Sequence, residues 1–207
     1  AAKAVARYDP QEKKVDWIMG TGQNRTHMVM VSEDQAHIYT SNIGSATMTF
    51  LEKGAGPRDW NETVIPVGKG SEGFDIAPDG RELWTANAGD GTVSVIDIAA
   101  RKVVETLQAN VRSANRLKFT PDGKLVFISM LNDPDVVILD AKTRKPVKRI
   151  KIGQGAAGIQ MQPDGSRVFV SCTPDNYVAV IDPNTLQIVG RIDAGPHPDG
   201  LAWAVVR

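Results

Sequence analysis

Thr120-Pro-Asp-Gly123 decides the fold, because the same turn returns along the chain. Ala77-Pro-Asp-Gly80 lies 43 residues before it and Gln162-Pro-Asp-Gly165 lies 42 residues after it. Ser32-Glu-Asp-Gln35 is a degenerate copy, 45 residues ahead of the first. Proline fixes φ at the first turn position, aspartate bonds to its own backbone, and glycine accepts positive φ, so each copy reads as a tight hairpin turn.

Working outward, each turn is preceded by a short alternating strand: Val29-Met-Val31, Phe74-Asp-Ile76, Leu117-Lys-Phe119 and Ile159-Gln-Met161. Each is followed by a second: Ile38-Tyr-Thr40, Leu83-Trp-Thr85, Val126-Phe-Ile128 and Val168-Phe-Val170. A third strand comes next (Thr92–Asp97, Asp135–Asp140, Tyr177–Asp182), then a polar turn and a fourth strand (Val103–Leu107, Val147–Ile152, Ile188–Ile192). No window keeps a helical period over three turns. Four short strands per repeat of about 43 residues describe one blade of an all-β, antiparallel β-propeller.

Four complete blades are predicted, at roughly 25–68, 69–110, 111–153 and 154–195, within a single domain spanning 1–207. Residues 1–24 supply the third and fourth strands of a further blade, because Asp9 and Gly22 keep the 13-residue offset found in its siblings. Leu201-Ala-Trp203, within 196–207, reads as a first strand. Joined, the two ends predict a composite blade lacking its second strand. Either a small five-bladed ring or part of a larger one satisfies that count. An open stack exposes two apolar blade faces, so a second copy or a companion segment completing the ring is expected.

These repeats resemble the bacterial and archaeal YVTN family. The resemblance rests on Tyr177-Val-Ala-Val-Ile-Asp182 followed by Pro-Asn-Thr, on Thr92-Val-Ser-Val-Ile-Asp97 after Ala86-Asn-Ala-Gly89, and on the Pro-Asp-Gly hairpins; it covers almost the whole chain. It implies a ring of usually seven blades, two or so more than are present, and a location in the periplasm or at the cell surface. It also implies a non-catalytic binding scaffold that presents loops and channel mouth to a protein or small ligand. Two alternatives stand beside it. One is a lactonase- or lyase-like propeller enzyme with its site at the channel mouth. The other is a redox-associated propeller, since heme-d1 and amine dehydrogenase propellers look similar at repeat level, although no Cys-x-x-Cys-His is present. Fold alone does not choose among them.

Composition narrows the field. With 24 basic and 24 acidic side chains, no global field draws the chain to nucleic acid. No apolar run approaches 18 residues, so no spanning helix is expected, and Ala1–Asp9 lacks the apolar core of a signal peptide. The single Cys172 excludes an internal disulfide, and its place in Val168-Phe-Val-Ser-Cys172 predicts burial. Phosphate-loop, nucleophile-elbow and His-Glu-x-x-His motifs are absent.

Aligning the repeats places His27, Glu72, Asn115, Ala157 and Asp199 at one equivalent position, where each first strand begins at the channel mouth. Arg116, His197 and Asp75 are neighbours. Such a ring can bind a small ligand or polarise a substrate with His27 or His197 as base; equally, it is a hydrated loop mouth. No cofactor is predicted, although oxygen and imidazole donors there suit a divalent metal. A second candidate is an insertion, Glu52–Asn61, four residues longer than its siblings. It sets Arg58, Asp59 and Trp60 in a loop as interface anchors, or else folds Trp60 back over the blade edge. His37 falls in a second strand and reads as structural.

Overall fold

The computed structural model describes residues 3–56 and 59–204, and among them there is no helix. A hairpin of β1 (Ala4–Asp9) and β2 (Lys14–Gly20) comes first and forms its own two-stranded sheet. Blade one follows with β3 (Thr26–Val31), β4 (His37–Asn42), β5 (Thr47–Lys53) and β6 (Trp60–Pro66). Blade two holds β7 (Ser71–Ile76), β8 (Glu82–Asn87), β9 (Thr92–Asp97) and β10 (Lys102–Gln108). Blade three holds β11 (Ala114–Phe119), β12 (Leu125–Met130), β13 (Asp135–Asp140) and β14 (Pro146–Lys151). Blade four holds β15 (Ala156–Met161), β16 (Val168–Cys172), β17 (Tyr177–Asp182) and β18 (Gln187–Asp193). Each blade is a four-stranded antiparallel meander in sequence order, and first strands of successive blades lie side by side. This is a β-propeller architecture.

The turns do what their chemistry dictates. Gly80, Gly123 and Gly165 stand at φ 72, 71 and 75, and each N–H closes the turn on the residue three before it. Asp79, Asp122 and Asp164 each accept the N–H two residues on, at 3.0, 3.1 and 2.9 Å. In the degenerate copy Asp34 accepts from Ala36 N at 2.9 Å, and Gln35 takes φ 56 in place of glycine. The Thr120 hydroxyl and then Lys124 hold the Asp122 carboxyl at about 2, down from 3.8. A depressed carboxylate contributes stability that is present above its unfolded pKa and lost as pH falls through the folded one. Asp122→Asn is therefore expected to flatten the acid limb between about pH 4 and about pH 2 relative to wild type. Urea midpoints across that range check it, and identical limbs in the two proteins refute it.

Apolar side chains fill the spaces between blades. Tyr39, Met48, Phe50 and Phe74 meet between blades one and two; Trp84, Leu117 and Phe119 between two and three; Phe127, Ile138 and Ile159 between three and four. At the end of the second strand the blades differ in kind. Asn42 Nδ2 donates to the Thr47 and Thr49 hydroxyls, and Asn87 Nδ2 to those of Thr92 and Ser94, tying second strand to third. Blades three and four put the buried Met130 and Cys172 in that place. Burial pushes the Cys172 thiol up, in keeping with a packing role.

Two expectations are corrected. Leu201–Trp203 is not a strand, and it does not join β1–β2 in one sheet. Among the described residues no strand pairs with it, and Trp203 instead lies against Phe169 of blade four, with ring centroids 6.1 Å apart. Trp60 is not in a loop but is the first residue of β6, paired with Lys53. The insertion extends the β5–β6 hairpin, whose ladder runs unbroken, whereas the third-to-fourth pairings of blades two to four each carry a register shift. Asp59 closes the extended turn by accepting Gly56 N at 3.0 Å. Arg58 lies outside the described residues.

Candidate binding site at the innermost strands

The site begins with an irregularity repeated in every blade. The pairing of first and second strands slips by one residue between Thr26 and Val29, Ser71 and Phe74, Ala114 and Leu117, and Ala156 and Ile159. Bulges of this kind re-aim side chains. The residues caught in them are His27, Glu72, Asn115 with Arg116, and Ala157, so the slip lifts the aligned positions out of the regular ladder.

A serine on the preceding blade's second strand reaches two of these bulges and the equivalent position at Asp199. Ser41 Oγ donates to the Glu72 carbonyl at 2.7 Å, Ser129 Oγ to that of Ala157 at 2.5 Å, and Ser171 Oγ to that of Asp199 at 2.6 Å. Asp199 thus makes the same serine contact as Glu72 and Ala157. Blade two has Ala86 where the others have serine, and there the Asn115 carbonyl accepts from Arg116 Nη1 at 3.0 Å. Sequence reasoning passed over these serines; the signal was a hydroxyl recurring at one repeat position, broken only at Ala86.

Arg116 also turns toward Glu72. The Glu72 carboxylate accepts from Asn115 Nδ2 at 2.8 Å and from Arg116 Nη1 at 3.0 Å, and His27 Nδ1 stands 3.9 Å away. Three successive blades therefore meet on one carboxylate. Glu72 and Arg116 are only 17% and 18% exposed at their side chains, so their attraction is less screened than that of a surface pair. Asn115 is buried, and its Oδ1 has no protein partner. Next along, Asp75 accepts from Lys118 Nζ and from the Phe119 N–H, both at 3.0 Å, sewing β7 to β11.

The remaining predicted residues stay apart. His197 is exposed, and its backbone N–H donates to Asn176 Oδ1 at 3.0 Å. Asp199 does not join His27 and Glu72, and among the described residues no three His, Cys, Asp or Glu side chains gather at metal-binding spacing. Trp60 packs on Trp17 of the hairpin, ring centroids 5.6 Å apart, beside a cavity of about 930 Å³ between that hairpin and blade one.

A family model described as the cytochrome D1 heme domain matches residues 28–158. No curated protein matches the chain. Hydrazine synthase of Kuenenia stuttgartiensis has a TM-score of 0.74 at 20% identity, over 84% of this chain and 50% of that one. A candidate 6-phosphogluconolactonase of Bacteroides uniformis gives 0.77 at 12% identity, over 94% and 66%. A second candidate 6-phosphogluconolactonase, from Bacteroides fragilis, gives 0.76 at 17% identity, over 95% and 66%. At such identities the likeness is one of fold, and this chain spans half to about two thirds of the length of these structures.

Proposed function

This chain belongs to the cytochrome D1 heme domain family, and from that premise we propose that its blades form a non-catalytic binding scaffold, exported and of YVTN type. Its site takes a small polar ligand where the innermost strands of blades one to three begin. The observation that carries this reading is the convergence of His27, Asn115 and Arg116 on Glu72. A carboxylate beside a guanidinium and an imidazole suits a ligand with a hydroxyl or amine donor next to a carboxylate or carbonyl oxygen. The donor turns to Glu72 and the oxygen to Arg116 and His27.

The family implies a heme, and the residues of this chain do not fit one. A macrocycle needs an apolar slot with an iron donor at its face. Around Glu72 the groups are polar and bonded to one another. The cavity beside Trp17 and Trp60 mixes apolar side chains with Arg7, Asp9, Glu12, Lys14, Asp16 and Lys53, and is lined by no histidine, cysteine, methionine or tyrosine. No step is therefore routed through a heme. The family match still favours a redox propeller as a second reading, and a purified chain with no visible absorption band after incubation with heme rules that out.

Thermal-shift titration with small hydroxy acids and amino acids tests the binding reading. Wild type is expected to show a saturable rise in Tm with at least one of them. Glu72→Gln keeps the side chain's size but removes its charge, and is expected to weaken that response about tenfold, or 1.4 kcal/mol. A flat wild-type response to every compound, or a Glu72→Gln variant that responds like wild type, overturns it.

A further inference from the structure

Blades three and four each place an arginine on the fourth strand opposite the third residue of the third strand: Arg149 faces Val137 and Arg191 faces Ala179. Blades one and two have Val64 and Thr106 there. Arg149 is satisfied within the fold. Its Nη1 stands 3.6 Å from Asp133 and 3.5 Å from Asp135, and its Nη2 donates to the Asn110 carbonyl at 2.8 Å. In blade four Tyr177 takes the place of Asp135, and the Arg191 guanidinium lies over its ring, 4.6 Å from the centroid. The Tyr177 hydroxyl donates to the Ile152 carbonyl at 2.5 Å; a Cβ on Gly153 would meet that hydroxyl, so the glycine leaves it room. Asp175, the counterpart of Asp133, turns to the Gln154 N–H at 2.8 Å. Among the described residues neither Arg191 nor Lys151 pairs with a carboxylate. A cleft of about 680 Å³ opens here between blades three and four, lined by Lys151, Gln154, Tyr177 and Arg191 among others.

We propose that this cleft binds a small dicarboxylate, one carboxylate on Arg191 and the other on Lys151. The ligand's chemistry follows from the sibling site. Around Arg149 the fold sets two carboxylates against one cation, whereas around Arg191 it sets two cations, Arg191 and Lys151, against the carboxylate of Asp175. Every group that holds Arg149 has a counterpart around Arg191, so the contrast lies in the side chains themselves. A guanidinium laid flat on an aromatic ring keeps its in-plane N–H groups for a bidentate carboxylate. The cleft is open to water and Asp175 opposes a second anion, so the attraction is screened and the affinity is modest. This site lies apart from the innermost strands, between the outer strands of its two blades.

The test is an NMR titration of the full chain with sodium succinate, ionic strength being held constant with sodium chloride. The backbone amides of Gly153 and Gln154 are expected to shift along saturable, millimolar curves. Those of Asn115 and Arg116 stay in place, which separates this site from the one at Glu72. Arg191→Gln changes an exposed side chain, so the variant keeps the rest of its spectrum and loses about fivefold or more in affinity. Tyr177→Asp copies blade three, gives Arg191 a carboxylate of its own and is expected to weaken succinate as much. Absence of the Gly153 and Gln154 shifts in wild type at about 0.1 M succinate overturns the proposal. A response that Arg191→Gln leaves unchanged overturns it as well. Inorganic phosphate that moves the same amides at lower concentration than succinate makes phosphate the ligand and overturns the carboxylate assignment.

Discussion

Trp84→Ala is expected to cost about 3–5 kcal/mol, the range for truncating a large core aromatic. That is about a fifth or more of the whole stability of an ordinary domain. Trp84 is fully buried in the core between blades two and three, edge-on to Phe119 with ring centroids 5.4 Å apart. Its Nε1 donates to Glu82 at 2.8 Å, and Glu82 in turn accepts from Arg144 at 2.5 Å. Arg144 also bonds Glu105, so one chain of contacts runs from the core of blade two to the polar turn of blade three. The indole is thus both filler and the inner anchor of a cross-blade bond. Trp84→Phe separates the two roles: it restores most of the volume and is expected to leave a deficit of about 1 kcal/mol from the lost indole bond to Glu82, which keeps Arg144. Urea unfolding of the three proteins measures both. A loss under about 1 kcal/mol for the alanine variant means that the interface relaxes around the gap and contradicts the packing described.

Gly73→Ala is the second large effect, and it acts through the backbone. A Cβ at this position meets Arg116 Cα and Asn115 O at 2.5 Å each, and both atoms belong to β11. No rotamer change relieves a clash with main chain, so the first strands of blades two and three must part. Overpacking costs about 1–3 kcal/mol in ordinary cores and more where nothing yields; at least 3 kcal/mol is expected here. Parting those strands also pulls Asn115 and Arg116 from Glu72, so ligand-induced stabilisation falls along with Tm. Gly190→Ala is the control, because its new methyl comes no nearer than 3.9 Å to Val180 on an outer strand. That variant is expected to match or slightly exceed wild type. Denaturant midpoints of the pair decide the matter, and equal midpoints refute the close approach at Gly73.

The fold was legible because its punctuation is local. Asp34, Asp79, Asp122 and Asp164 close their turns with bonds to residues two positions on, so the sequence window contains the whole interaction. The equivalence of His27, Glu72, Asn115, Ala157 and Asp199 was legible for a related reason, since repeats align by counting. What counting does not reveal is which of those side chains meet. Glu72 meets Asn115 and Arg116 across about 44 residues, on the first strand of the next blade, and no local window contains that contact. Asp199 is held on the Ser171 hydroxyl through its own carbonyl, a contact across 28 residues. Trp60 was misplaced for a third reason: an inserted segment lengthens a hairpin as readily as it lengthens a loop, and only the unbroken β5–β6 ladder distinguishes the two.

The exchange of Asn42 and Asn87 for Met130 and Cys172 changes what holds the second strand to the third at that position. Side-chain amide bonds in the first two blades are enthalpic and directional, and cooling leaves them intact. The apolar substitutes in the last two blades lean on the hydrophobic effect, whose driving force fades toward low temperature. At that one repeat position the first two blades therefore hold second strand to third with directional side-chain bonds, and the last two with apolar burial alone, which weakens on cooling.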